Sequence, residues 1–168
     1  MSKVSSRPDG WRIILIFLPA ALVFAADQLT KTWIKTHLEI GETLFQSGIF
    51  SISRIPPNTG AAFGIFRSGT IILIAVSTIF SILVLLYAFS LYRRFPMVNT
   101  HWNNVAIGLI FGGTLGNLVE RVGVGVTDFI GIGWWPAFNI ADSSVTIGAV
   151  MLAISLLLSM RDSPKTPA

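Results

Sequence analysis

The sequence predicts an all-α membrane protein with four transmembrane helices and a small extracytoplasmic β-like platform in the first long loop. Three observations carry this expectation. Only 12% of the 168 residues are charged, where a soluble domain carries about 25%. Apolar residues make up 52% and the mean hydropathy is +0.71. Apolar runs of near-spanning length recur along the chain, with basic residues at their flanks. The length gives one domain, residues 1–168, with no room for a separate soluble module beside several spans.

The first apolar run extends from Trp11 to Ala26, led by Lys3, Arg7 and Arg12. A cleavable secretory signal shares that layout. Against it, Asp27-Gln28-Leu29-Thr30-Lys31 continues a helical pattern through the point where cleavage would fall. The second run is Gly69 to Tyr92, the third Val105 to Val119 and the fourth Phe138 to Met160. The second and fourth reach the ~20 residues that a spanning helix needs, and the other two continue through weakly polar turns.

The basic residues orient these spans. Four crossings put both termini on one side, with Lys3, Arg7, Arg12, Arg93, Arg94, Arg161 and Lys165. Lys31, Lys35, Arg54, Arg67 and Arg121 face the other way. The bias is modest, but the opposing group draws on the long connection from Thr30 to Ser68, and short loops set orientation most reliably. Both termini are therefore expected in the cytoplasm. Asp27, Glu39, Glu42, Glu120, Asp128 and Asp142 then lie at the outer face. The chemistry belongs there too.

Within the long outer connection, Gly48 to Ser53 alternates apolar and polar residues with the period of a half-buried strand. Pro56-Pro57-Asn58-Thr59-Gly60 supplies a turn. Phe63, Ile65 and Phe66 follow, either as an interfacial apolar stretch or as aromatic anchors of a surface loop. The third run carries Gly108, Gly112 and Gly116 at four-residue spacing, one ridge on which another backbone can approach closely. At its outer end Asn117 and Arg121 share a face, able to hold a carboxylate or a peptide carbonyl. An arginine that snorkels at a helix C-terminus would look the same.

Asp128 and Asp142 are the most informative residues. An acid at the edge of the hydrocarbon costs desolvation energy unless it is paired, hydrated or used. Two of them on one side suggest acid and base chemistry. Asn139 is placed to cap the fourth helix, with Asp142 at its third position in a capping-box arrangement. That structural role is compatible with a catalytic one, because a helix N-terminus holds a carboxylate ionised. Asp27 and Lys31, four apart, form a common helix-stabilising pair.

Several chemistries drop out. The chain has no cysteine, so thiol nucleophiles and thiolate metal sites are excluded. His37 and His101 are expected on opposite sides of the bilayer, which leaves neither a histidine metal site nor a Ser-His-Asp triad. Gly131-Ile132-Gly133 lacks the rest of a dinucleotide fingerprint. The net charge of +4 is spread over segment ends rather than gathered in a stripe, so lipid headgroups are the expected partners and nucleic acid is not. A serine-lysine pair, Ser143 or Ser144 with Lys31, remains open. So does a channel or transporter lined by Asp27, Glu120, Asp128 and Asp142, although the span centres are almost wholly apolar.

Five blocks in order resemble the motifs of bacterial lipoprotein signal peptidase, also called signal peptidase II. They are Asp27 with Lys31, Asn58-Thr59-Gly60-Ala61-Ala62-Phe63, Gly112-Gly113-Thr114-Leu115-Gly116-Asn117 with Arg121, Val126-Thr127-Asp128-Phe129, and Phe138-Asn139-Ile140-Ala141-Asp142-Ser143. The resemblance implies an aspartic endopeptidase of the bacterial plasma membrane that cuts prolipoproteins on the amino side of a cysteine carrying diacylglycerol; two close carboxylates that share a proton need no metal or other cofactor. It implies Asp128 and Asp142 as the catalytic pair, with Asn58, Gly60, Asn117, Arg121 and Asn139 supporting the pair or holding substrate. Asp27 and Lys31 match the first block, with a structural role. The chain departs from the pattern at Glu120, where Asp is usual beside Arg121. Pro56-Pro57 puts strand pairing in doubt, and the stretch Phe129 to Trp135 is short.

Overall fold

The computed structural model describes residues 10–59, 69–91, 94, 100–123 and 125–161. Gly60, Phe63, Ile65 and Phe66 lie outside the described residues. The first helix, α1, runs over Gly10–His37. Its 28 residues span about 42 Å, well beyond the ~30 Å of a hydrocarbon core. Its last turns therefore carry Lys31 and Lys35 toward the polar boundary.

α2 covers Gly69–Leu86 and continues as one π-helical turn over Tyr87–Leu91. α3 covers His101–Arg121, and its first turn is capped by Thr100, whose Oγ1 accepts the Asn103 N–H at 3.1 Å. α4 covers Ile140–Arg161. Among the described residues three helices are long and apolar enough to cross a membrane, over Gly10–His37, Thr70–Ser90 and Ile140–Ser159. α3 has the length but not the hydropathy, because Asn103, Asn104 and its glycines dilute the apolar content. Those polar groups are buried: Asn103 and Asn104 are at most 2% exposed.

The glycine ridge explains how α3 packs. A Cβ at Gly108 would strike the Ile16 carbonyl, one at Gly112 the Ala20 backbone, and one at Gly116 the Asp27 carboxylate. On the neighbouring face, a Cβ at Gly113 would meet Ala141 and Ser144 of α4. α3 is thus clasped between α1 and α4 with backbones in near contact. Ile16, Ala20, Val84, Ala88, Ile107 and Phe111 form the apolar core where α1, α2 and α3 meet.

The platform is larger than expected. β1 (Thr43–Ser47) and β2 (Phe50–Ser53) come from the first long loop, and β3 (Ile130–Ile132) and β4 (Trp135–Phe138) from between the two acids. They form one antiparallel sheet in the order β1-β2-β3-β4. Placing it in the first loop alone is corrected by the pairing of Ser51 with Gly131 and Ile52 with Ile130. The short stretch after Phe129 is short because it is a tight hairpin. Pro56 and Pro57 fall beyond β2, so their missing N–H groups interrupt no ladder, and Asn58 still bridges Val126. Ile34 and Leu38 at the end of α1 pack with Phe129, Ile52, Ile130 and Ile140, which seats the sheet over one end of the helices.

Candidate active site

The site grows from the first turn of α4. Its backbone N–H groups have no partners within the helix and must be satisfied from outside. Asn139 Oδ1 accepts the Asp142 N–H at 3.0 Å, and Asp142 Oδ2 accepts the Asn139 N–H at 3.2 Å. This is the reciprocal capping box that the spacing predicts. The next donor, Ala141 N–H, is taken at 3.0 Å by Asp27 Oδ1, reaching across from α1. Two helices distant in sequence are thereby fixed at the residue where Asp142 begins.

Asn139 is also the bridge to the second acid. Its Nδ2 donates to Asp128 Oδ1 at 2.7 Å and to Asn117 Oδ1 at 3.1 Å. Asn117 Nδ2 in turn donates to Asp142 Oδ1 at 2.8 Å. Asn58 Nδ2 donates to Asp128 Oδ2 at 3.0 Å, so both oxygens of that carboxylate are engaged. One network therefore contains Asp128, Asp142, Asn58, Asn117 and Asn139, residues contributed by four separate parts of the chain.

Lys31 anchors the buried side of this network. Its ammonium pairs with Asp27 at 2.7 Å, lies 3.5 Å from Glu120, and donates to Asn117 Oδ1 at 2.9 Å. Both Asp27 and Lys31 are fully buried. Such a pair is tolerable only when its remaining polar capacity is filled, which Asn117, Gln28 and Ala141 do here. The Gln28 amide bonds both Asp27, at 3.1 Å, and the Gly116 carbonyl, at 3.0 Å.

The two acids differ in surroundings. Asp128 is only 4% exposed, and burial pushes its carboxyl up to about 6. Hydrogen bonds from Asn58 and Asn139 and the charge of Lys31 oppose that rise, while the nearby Asp142 carboxylate adds to it. Asp142 is half-buried and lines an apolar cleft of about 550 Å³ with Ile132, Trp134, Trp135, Phe138, Ser143 and Ile147. One acid is therefore enclosed and the other open to an apolar ligand.

Arg121 stands within electrostatic reach of both acids but makes no hydrogen bond or ion pair with either. Glu120, the acid beside Arg121, forms no hydrogen bond or ion pair with it. It pairs with Lys35 at 2.6 Å and with Lys31, and bonds Thr127 instead. Gln28 and Thr127 were not expected in the site, and Glu120 only as the acid beside Arg121. Only the position of Glu120, beside Arg121 and one turn beyond Gly116, hinted at it. The serines are occupied: Ser143 Oγ donates to the Asn139 carbonyl at 3.0 Å and Ser144 Oγ to the Ala141 carbonyl at 2.9 Å.

The chain is similar over most of its length to known proteins. Residues 19–158 match the family model described as signal peptidase (SPase) II. A lipoprotein signal peptidase of Dehalococcoides mccartyi is 43% identical over 149 residues, covering 88% of this chain and 92% of the relative. One from Moorella thermoacetica is 34% identical over 151 residues, covering 89% and 97%. Among solved structures, a bacterial membrane enzyme determined by the in meso method superposes with a TM-score of 0.74 at 34% identity, over 95% of this chain and 94% of that one.

Proposed function

The chain belongs to the signal peptidase II family, and we propose that it removes signal peptides from prolipoproteins as an aspartic endopeptidase whose catalytic pair is Asp128 and Asp142. The observation that carries this reading is the bridge through Asn139, which bonds one acid with its side chain and the other with its backbone. Two carboxylates held in one network can hold a single proton between them, one ionised and one protonated. The ionised member takes a proton from water as the water oxygen attacks the scissile carbonyl. The protonated member supplies the proton that the leaving amine requires.

The surroundings favour Asp142 as the base and Asp128 as the proton carrier. Asp142 sits at a helix N-terminus, where the backbone dipole stabilises negative charge, and it accepts from Asn117 and Asn139. Asp128 is buried, which favours its neutral form. Arg121, uncommitted to either acid, is available to a substrate carbonyl or carboxylate. Asn58 and Asn117 hold the pair in place, while Asp27 and Lys31 fix the helices beneath it.

The apolar cleft beside Asp142 suits a substrate delivered from the bilayer. In this reading the precursor carries diacylglycerol on the cysteine that follows the scissile bond. Its acyl chains stay in lipid and orient the peptide, so binding energy comes from atoms remote from the reaction. α3 serves as the fourth crossing, shielded by α1 and α4 so that its asparagines and glycines face protein. Both termini are cytoplasmic and the site opens at the outer face of the plasma membrane.

The test is cleavage by the purified protein of a diacylglyceryl-modified precursor, beside the same precursor with serine in place of the modified cysteine. Near-complete loss on the serine form is expected. Equal rates on both would remove the lipid from the recognition.

A further inference from the structure

Glu120 does not touch either acid, yet it grips the segment that carries one of them. Its Oε2 accepts the Thr127 N–H at 2.8 Å and its Oε1 accepts the Thr127 Oγ1–H at 3.0 Å. The main-chain carbonyl of the same residue accepts the N–H of Gly123 at 3.0 Å and of Gly125 at 3.4 Å. One residue at the end of α3 therefore closes the turn that follows, from backbone and side chain together. The residue it clasps immediately precedes Asp128.

The grip is strong for physical reasons. The Glu120 side chain is 8% exposed and bracketed by Lys35 and Lys31, so it is held as a carboxylate by two cations in a poorly solvated place. Hydrogen bonds to an ionised acceptor are about twice as strong as neutral ones. Two of them on one threonine fix both the position and the rotation of its peptide. Thr127 is buried, and its carbonyl lies 3.4 Å from Asn139 Nδ2, the same group that bonds Asp128.

We propose that Glu120 is a positioning residue for the reaction, acting through Thr127 to set where Asp128 presents its carboxyl. This rests on the reading of Asp128 as catalytic.

The experiment uses the full-length protein and a diacylglyceryl-modified precursor, with kcat and KM measured separately. Thr127→Val keeps the side-chain shape and the backbone N–H but removes the hydroxyl donor. It should lower kcat by about 10-fold with KM little changed, the signature of a misplaced reacting group. Thr127→Ser, which restores the donor, should bring kcat back to within about twofold of the parent. Glu120→Gln should lower kcat by about 10- to 100-fold, and the double variant should be no worse than Glu120→Gln alone. Parental kcat in Thr127→Val, or a double variant whose loss is the product of the single losses, would overturn the proposal. If Glu120→Gln fails to fold because Lys31 loses a counter-ion, the Thr127 pair decides alone. Asp128→Asn assayed in parallel separates the two claims. An inactive Asp128→Asn with a fully active Thr127→Val condemns only the role of Glu120, whereas an active Asp128→Asn condemns the dyad beneath it.

Discussion

Asp128 and Asp142 are the same residue type in two environments, and the difference makes the pH behaviour testable. Burial raises the Asp128 carboxyl from 3.8 to about 6. The proposed dyad needs one proton, so kcat/KM should fall as pH rises through about 6 and Asp128 loses it. Asn58 favours the charged form by donating to it, so Asn58→Ala should move that falling limb to higher pH. A limb that stays put would show that Asp128 is not the group titrating. Stability carries the same sign. A carboxyl raised above its ordinary value contributes most below pH 3.8, and the contribution is lost as pH climbs through about 6. Asp128→Asn should remove that part of the pH dependence of thermal unfolding.

At the scale of elements, the union of α1, α3 and α4 depends on Asp27. It lies against Gly116, pairs with Lys31 and caps Ala141. Asp27→Ala leaves a buried ammonium with a single, more distant carboxylate, and breaking such a pair costs about 3–5 kcal/mol. The double variant Asp27→Leu with Lys31→Met removes both charges and should recover most of that stability in thermal unfolding. Activity should not return, because the first turn of α4 remains uncapped at Ala141. A double variant as unstable as Asp27→Ala would show that the pair is not what the buried charge costs. Gly116→Ala pushes the same carboxylate aside, and overpacking of this kind costs about 1–3 kcal/mol. It should lower stability and turnover together.

For the whole molecule, local signals were legible and pairings between distant segments were not. The capping box could be read because Asn139 and Asp142 are three apart. The ridge of Gly108, Gly112 and Gly116 could be read because one face repeats every four residues. Of the sheet only β2 was read, from the alternation of Gly48 to Ser53. Ile130-Gly131-Ile132 is too short to display a strand period, and its pairing with Phe50 to Ile52 depends on segments about 80 residues apart. The grip of Glu120 on Thr127 was hidden for a different reason, since side-chain reach sets it rather than a periodic spacing. α3 read as a span by its apolar stretch, whereas its asparagines and glycines lower its hydropathy and are buried instead of facing lipid. Orientation is the prediction at this scale. A reporter fused after Ala168 should behave as cytoplasmic and one inserted near Gly41 as external, as the basic flanks require. The reverse pattern would take the site away from the outer face.

The central claim is that Asp128 and Asp142 act as one proton-sharing unit, and cleavage of the lipidated precursor by purified variants tests it most directly. Asp128→Asn and Asp142→Asn keep size and hydrogen-bonding capacity but cannot exchange the proton. Each should lose nearly all turnover while unfolding as a folded protein does, and the double variant should be little worse than either single one. Ser143→Ala, which removes only a hydroxyl already bonded to the Asn139 carbonyl, should retain substantial turnover. Full activity in a well-folded Asp128→Asn protein, or complete loss in Ser143→Ala alone, would contradict the account.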